Sequence, residues 1–162
     1  MLDGTYECRL MLIKSTLSPL SHNGDTVRNE LSGATLSARL KLWVQKNSEI
    51  QFGNYYHFLD SQMVKDMLAK EIYGFNTFEG LQVAKVQKKT ALTDWIHIPS
   101  KQNILDVLTK GKPPNMLGPD SEWQKGPSWL RLETSLWPTN PLSTAQSPVI
   151  TAEILQENKV PF

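Results

Sequence analysis

The sequence predicts an α/β layer fold followed by an irregular extension rich in Trp and Pro. Strand-like and helix-like segments alternate from residue 6 to residue 110, which is typical of a sheet covered by helices. Seven of the ten prolines fall between Pro113 and Pro148, so the composition changes near Gly111. A chain of 162 residues is long enough for one ordinary domain and too short for two.

The first part of the chain predicts a strand, a long helix and a second strand. Residues 6–10 alternate apolar and polar side chains, as a half-buried strand does. Residues 23–26 offer a turn and an N-cap for a helix that ends before Asn47 and has an apolar stripe of Val27, Leu31, Ala34, Ala38 and Leu42. The aromatic run 55–59 lacks alternation, which predicts a strand buried on both faces and ending at Asp60.

The next part predicts two helices, a short strand and a last helix. The second helix has the stripe Met63, Val64, Met67, Leu68 and Ile72, and after Gly74 the third has Phe78, Leu81, Gln82, Lys85 and Val86. Residues 95–98 form a short strand closed by Pro99, and Asn103 caps a last helix over 104–110 that Gly111 ends.

These patterns divide the chain into three parts. Residues 1–111 are the predicted core domain, residues 112–138 an extension, and residues 139–162 a loosely ordered tail with a short helix around 152–156. Three of the five tryptophans lie in the extension, so we expect it to pack on or follow the core and not to act as a flexible linker.

Composition excludes several classes of function. A net charge of +1 gives no global field that would mark a nucleic-acid or membrane-surface partner. The single Cys8 excludes an internal disulfide framework or a Cys-rich zinc site, and we expect a structural thiol there. His22, His57 and His97 lack metal-ligand spacing. Without a signal peptide or a long apolar run, we expect an intracellular protein, cytoplasmic or nuclear, that is not secreted and has no membrane partner.

Three acidic residues occur where the pattern predicts burial or the end of an element: Glu30, Asp60 and Asp106. Glu30 lies beside the apolar stripe of the first helix, as a functional carboxylate or as a boundary residue paired with a cation such as Arg28 or Lys14. Asp60 ends a strand at the carboxyl edge of the sheet, where α/β folds place ligands, but it could equally cap the next helix. Asp106 fits a functional site or an ordinary first-turn acid.

A small basic cluster, Lys85, Lys88 and Lys89, lies near Trp95 at the end of the third predicted helix. Lysines in such a position can contact a phosphate backbone, but a solvated helix end is the default interpretation. The cluster is therefore compatible with nucleic-acid binding without requiring it.

Several segments of the chain occur in a characteristic order. Residues 13–20 contain a Lys-Ser segment with a closing Pro-Leu, residues 27–31 an Arg-x-Glu-Leu helix start, and residues 58–61 a strand end with an Asp-Ser pair. Residues 94–111 contain the last predicted strand and helix, and the Trp-containing segments 123–130 and 136–138 follow. In this order, over about residues 1–138, they resemble the ribonuclease H region of Bel-Pao retrotransposon polyproteins with its Trp-rich trailer.

The resemblance implies an RNase H-like mixed sheet flanked by helices. It also implies hydrolysis of the RNA strand of RNA–DNA hybrids by two Mg²⁺ ions held by four carboxylates, of which three match Glu30, Asp60 and Asp106. The implied partners are an RNA–DNA hybrid, if the domain is completed upstream, and the remainder of a retroelement polyprotein.

The chain also departs from this family. The first two strands and the first catalytic Asp are expected before residue 6, and Asp3 lies in an Asp-Gly turn that does not replace that acid. Leu105 and Asn29 replace residue types usual beside the family's acids. We therefore expect a fragment or remnant with weakened Mg²⁺ binding that is inactive alone. The alternatives are a non-enzymatic interaction module and a non-functional, degenerate retroelement product.

Overall fold

A computed structural model describes residues 6–18, 24–106 and 111–139 of the chain. Its regular elements are α1 (Thr26–Asn47), β1 (His57–Leu59), α2 (Gln62–Ala69), α3 (Thr77–Gln87), β2 (Trp95–His97) and α4 (Glu122–Lys125). Single 3₁₀ turns connect several of them. Most of the helix predicted over 104–110, and the predicted tail from residue 140 onward, lie outside the described residues.

The long helix α1 forms as its sequence predicts. Asp25 caps it, because its side-chain Oδ1 accepts a hydrogen bond of 2.9 Å from the backbone N–H of Arg28. Leu31, Ala34 and Ala38 of the predicted stripe are buried, whereas Leu42 is 41% exposed. The buried stripe therefore occupies the first half of the helix, and the last turns extend past the core.

The sheet consists, in the described part of the chain, of two parallel strands. His57 lies opposite Trp95 and Leu59 opposite His97, and the backbone N–H of Ile98 donates to Leu59 O over 2.8 Å. Parallel strands need a crossover connection, which α2, α3 and the turns beside them provide. The chain is thus a mixed helix and strand structure of the α/β type.

The helices cover one face of this sheet. The core combines side chains from α1, α2, α3 and both strands, with Leu31, Val64, Val83 and Val86 essentially inaccessible to solvent. A hydrogen bond of 2.9 Å between Thr35 Oγ1 and Gln82 Oε1 ties α1 to α3. Burial of aliphatic side chains supplies most of the stabilisation of such a layer.

Aromatic residues of the extension contact Phe58, whose side chain alternates with those of His57 and Leu59. The ring of Trp129 meets that of Phe58 edge to face, with centroids 5.2 Å apart. Trp137 lies 5.4 Å from Phe58 and 5.0 Å from Tyr56. The extension thus packs against β1 through its tryptophans.

The strand predicted over residues 6–10 does not form. The described residues 6–18 have no regular secondary structure, and Leu10 donates a single backbone hydrogen bond of 2.8 Å to Gln124 O in the extension. Alternating side chains make a strand only when a neighbouring strand accepts the ladder of hydrogen bonds. Here the neighbour is the short helix α4, whose carbonyls cannot offer that ladder.

Two other elements are shorter than predicted. The second helix ends at Ala69, and Ile72 lies in a separate 3₁₀ turn, 41% exposed. Strand β1, which the sequence predicts over residues 55–59, spans only His57–Leu59, and Tyr56 before it is 42% exposed. Burial is complete only on the face that His57 and Leu59 share, while Phe58 on the other face is half-buried under the extension.

Candidate acidic site at the carboxyl ends of the strands

Asp60 directly follows β1 and is half-buried. It does not cap α2, because Ser61 does so: Ser61 Oγ accepts a hydrogen bond of 3.3 Å from the backbone N–H of Val64. The capping alternative for Asp60 is therefore wrong. No ion pair joins its carboxylate to another residue in the described part of the chain.

Glu30 is half-buried near the start of α1. The nearest predicted cation, Arg28, is engaged elsewhere: its Nε lies 3.1 Å from Asp25 Oδ2, and its guanidinium lies over the ring of Phe78 at 5.4 Å from the centroid. Among residues 6–18, 24–106 and 111–139, no ion pair involves Glu30. Arg28 therefore does not explain the position of this carboxylate.

The direction of α1 places Glu30 at the same end of the sheet as Asp60. Ser37 Oγ lies 2.7 Å from Nδ1 of His57, the first residue of β1, and Lys41 Nζ lies 3.1 Å from Asp94 Oδ2, just before β2. The helix therefore runs antiparallel to the strands. From Ser37 back to Glu30 the helix rises about 10 Å, and from His57 on to Asp60 the strand also advances about 10 Å.

Asp106 lies beyond the carboxyl end of β2. A 3₁₀ turn, Ser100–Gln102, follows that strand, and the backbone N–H of Asp106 then donates to Asn103 O over 3.2 Å. Asn103 Oδ1 accepts a hydrogen bond of 3.1 Å from the N–H of Leu105, which is a local turn with the geometry of a cap. Asp60 and the segment that leads to Asp106 thus both follow the carboxyl ends of the two parallel strands.

Sharing an end of the sheet does not make these acids a metal site. Among the residues that the structure describes, no group of three or more His, Cys, Asp or Glu side chains is placed to hold a metal ion. Mg²⁺ needs several oxygen ligands at about 2.0–2.1 Å in octahedral geometry. The described residues of this chain therefore do not fit, by themselves, the Mg²⁺ centre that the resemblance implies.

The basic cluster lies away from the acids. Lys85 is in α3, Lys88 is its C-cap and Lys89 follows. Because α3 leads into the amino end of β2, its last residues lie toward the opposite end of the sheet from Asp60. The sequence prediction that these lysines contact nucleic acid is thus separate in space from the prediction for the carboxylates.

His57 is a buried polar residue whose environment the sequence did not reveal. Its ring stacks on Trp95 with centroids 4.4 Å apart, Nδ1 faces Ser37 Oγ, and Nε2 has no partner among the described residues. Burial, followed by the charge of Lys41, lowers the pKa of His57 below its ordinary value of 6.5, against an opposing effect of Asp94. The imidazole is therefore held in its neutral form as part of the core.

A cavity beside Asp106 contains further residues that the sequence did not single out. Lys101, Lys112 and Ser128 line it together with Trp129. Their positions in the sequence carry no spacing signal, because the turn after β2 and the docking of the extension bring them together. The only available signal was the cluster of tryptophans in the extension.

Comparison of the chain with protein-family models, with curated proteins and with solved structures gives no match. The arguments about function therefore rest on the residues and on the geometry given above. In the described part of the chain, no helix is both long enough and apolar enough to cross a membrane.

Proposed function

We propose that this chain is an RNase H-like segment of a Bel-Pao retroelement polyprotein, which binds RNA–DNA hybrid and does not cleave it alone. The observation that supports the proposal is that Asp60 and the segment leading to Asp106 follow the carboxyl ends of two parallel strands, with α1 running antiparallel beside them. The resemblance to the family's acids falls on Glu30 in α1, on Asp60 directly after β1 and on Asp106 in the segment after β2. Chain topology thus supports what the sequence order predicts.

The electrostatics of Glu30 and Asp60 also support a functional role. Each carboxylate is half-buried, and within the described residues neither forms an ion pair. Acidic side chains are mostly exposed, and they are almost never fully buried unless they are paired. Two half-buried carboxylates without an ion-pair partner among the described residues are therefore open to a cation supplied from outside.

The proposed lack of activity follows from the positions of the acidic side chains. The four carboxylates of the family would hold two Mg²⁺ ions that activate water and stabilise the transition state. The three acids here do not form a group able to hold a metal. We therefore expect hybrid binding and hybrid cleavage to be separate properties of this chain.

The test is an endonuclease assay on the full chain with an end-labelled RNA–DNA hybrid and Mg²⁺. We expect no cleavage above that of the Asp60→Asn variant. Binding is measured in parallel by fluorescence anisotropy at low salt, and we expect a measurable affinity for the hybrid. Cleavage that disappears in Asp60→Asn would refute the proposed inactivity, and absence of hybrid binding would refute the RNase H-like assignment.

The same absence of a three-acid group favours a second candidate, a non-enzymatic interaction module. In such a module the acids would have no role in ligand binding. Asp60→Asn and Glu30→Gln would then leave hybrid affinity unchanged, whereas removal of carboxylates near a bound phosphate backbone should strengthen it. The anisotropy assay on these two variants therefore distinguishes the two candidates.

A further inference from the structure

A second cavity, of about 260 Å³, lies between the C-terminal ends of α2 and α3 and the start of β2. Its wall is mainly apolar and comes from Leu68, Ala69, Val86, Leu92 and Trp95. One water molecule occupies about 30 Å³ in the liquid, so the cavity has room for an apolar side chain. We refer to this space as the α2–α3 cavity.

The hydrogen-bond donors of the polar side chains in this wall already have acceptors within the fold. The Thr90 hydroxyl accepts a hydrogen bond of 2.8 Å from the Trp95 indole and donates one of 3.0 Å to Val86 O. The side-chain amide nitrogen of Gln87 donates to Leu68 O over 2.9 Å. Because these donors are already used, the cavity favours an apolar occupant over a polar one.

Three lysines border the α2–α3 cavity. Lys70 directly follows α2, and its carbonyl oxygen accepts a hydrogen bond of 3.0 Å from the Gln87 amide. Lys88 and Lys89 directly follow Gln87. None of the three forms an ion pair within the described part of the chain, and Glu71 is the single acid within three residues of any of them in the sequence. The border is therefore positively charged, and it favours an occupant that carries acidic groups beside its apolar ones.

The chain itself contains a segment with this composition. Residues 150–157, which lie outside the described residues, include two glutamates and no basic side chain. Ile150 and Ile154 are four positions apart, and so are Glu153 and Glu157. In a helix such pairs lie side by side on one face, which is the pattern of an amphipathic helix that binds in an apolar groove. The short helix that the sequence predicts in the tail falls on this segment.

The described part of the chain stops at the same end of the sheet as the α2–α3 cavity. Thr139 N donates to Trp137 O over 2.7 Å, and Trp137 contacts Tyr56, just before the amino end of β1. Trp95 in the cavity wall is the first residue of β2, which runs parallel to β1. The eleven residue steps from Thr139 to Ile150 can span about 36–40 Å. Paired strands lie only about 5 Å apart, so the segment can reach the cavity.

We propose that residues 150–157 dock in the α2–α3 cavity, with Ile150 and Ile154 against its apolar wall and the two glutamates beside the lysines of its border. Screened charges act over about 10 Å, so the glutamates favour this position without a fixed ion-pair geometry. The inference does not depend on the proposed function. It gives the lysines at the end of α3 an acidic partner within the chain in place of a phosphate backbone.

The test places a nitroxide spin label in the segment and follows the backbone amide signals of the ¹⁵N-labelled full chain. The label is attached to Gln156→Cys, on the side of the predicted helix away from the two isoleucines, in a Cys8→Ser background that leaves one thiol. Paramagnetic broadening should remove the amide signals of Lys88 and Leu92. The amide signal of Asp60, at the opposite end of the sheet, should keep its intensity, and reduction of the nitroxide should restore the lost signals.

Two variants of the segment test the charged and the apolar part of the match separately. Glu153→Lys should restore the Lys88 and Leu92 signals in the labelled chain, because it places like charges together at the border. Ile154→Asp should also restore them although it adds an acid, because it removes an apolar contact. Glu133→Lys is the matched control, since Glu133 is exposed and lies in the extension outside the segment. Its variant should lose the same signals as the labelled parent.

A mixed sample distinguishes the possible occupants. It combines spin-labelled chain at natural nitrogen abundance with ¹⁵N-labelled chain that has no nitroxide, so any broadening there acts between chains, and we expect none. Loss of the Lys88 and Leu92 signals in this mixture would assign the cavity to a second copy and overturn docking within one chain. Full intensity of these signals in the labelled parent would overturn the inference. A loss that neither Glu153→Lys nor Ile154→Asp reverses would overturn the assignment of these contacts.

Discussion

Replacing Trp129 with alanine tests whether the extension is part of one cooperative folding unit. Trp129 is 9% exposed, and its ring packs edge to face on Phe58 at 5.2 Å and on Trp137 at 5.8 Å. Phe58 belongs to β1. Loss of the indole therefore removes one of the two tryptophan contacts between the extension and Phe58.

The size of the effect follows from the buried surface. A buried aromatic side chain removes about 150–250 Å² from water, which at about 25 cal/mol per Å² corresponds to about 4–6 kcal/mol. That sum is an upper bound because unfolded chains are already partly compact. Since measured Trp-to-Ala substitutions in cores cost about 3–5 kcal/mol, we expect Trp129→Ala to lower the free energy of unfolding by that amount.

The assay is urea denaturation followed by far-ultraviolet circular dichroism, because substitution of a tryptophan also alters the fluorescence signal. Trp43→Ala is the matched control: Trp43 lies on α1 and is 56% exposed, so its loss should change the free energy of unfolding by less than about 1 kcal/mol. A Trp129→Ala variant within about 1 kcal/mol of the parent, with the same m-value, would refute the reasoning. It would mean that the extension docks without contributing to the cooperative unit.

Further predictions concern a buried histidine and two helix glycines. Burial and the charge of Lys41 lower the pKa of His57 in the folded chain below 6.5. As the pH falls through 6.5, the unfolded chain therefore binds a proton at His57 more readily than the folded chain does. The free energy of unfolding should consequently decrease below that pH. Denaturant melts on either side of it should show a weaker pH dependence for His57→Gln, and equal slopes would contradict this. Gly33→Ala should raise the free energy of unfolding by about 0.5–1 kcal/mol, because the added Cβ would meet nothing within 4 Å. A lowered melting temperature of this variant would contradict the prediction. In Gly80→Ala the new Cβ would lie 3.2 Å from Ile72 Cγ2, so thermal melts should show a smaller gain or a loss, and a gain equal to that of Gly33→Ala would contradict this.

Local signals predicted the elements that depend on local chemistry. The capping side chain of Asp25 and the spacing of Leu31, Ala34 and Ala38 sufficed for α1, because a helix satisfies its own backbone. Asn76 caps α3 in the same way, with Oδ1 accepting a hydrogen bond of 3.0 Å from the N–H of Glu79. Such elements carry their start signals within a few residues.

Elements that depend on distant partners were predicted less well. The alternation of residues 6–10 resembles a strand, yet the described neighbour of Leu10 is the carbonyl of Gln124, and one hydrogen bond does not make a ladder. The choice between Asp60 and Ser61 as the cap of α2 was also left open by the sequence, because two adjacent residues can compete for one helix start. The structure shows that Ser61 is the cap. The stack of His57 on Trp95 joins residues of two strands, and no local pattern encodes it.

The candidate site depends both on local sequence signals and on contacts between distant parts of the chain. A strand end followed by an acid, in a parallel pair, is enough to place Asp60 and the segment leading to Asp106 at one edge. The position of Glu30 depends on the direction of α1, which contacts such as Ser37 with His57 establish across the fold. Carboxylates share a Mg²⁺ ion only when their oxygens can each lie about 2 Å from it. Side-chain conformation and additional ligands determine whether that distance is reached, and the order of strands and helices does not. Binding of a phosphate backbone tolerates much larger displacements, because screened charges act over about 10 Å. Under the proposed function, the chain should therefore lose cleavage before it loses affinity for RNA–DNA hybrid.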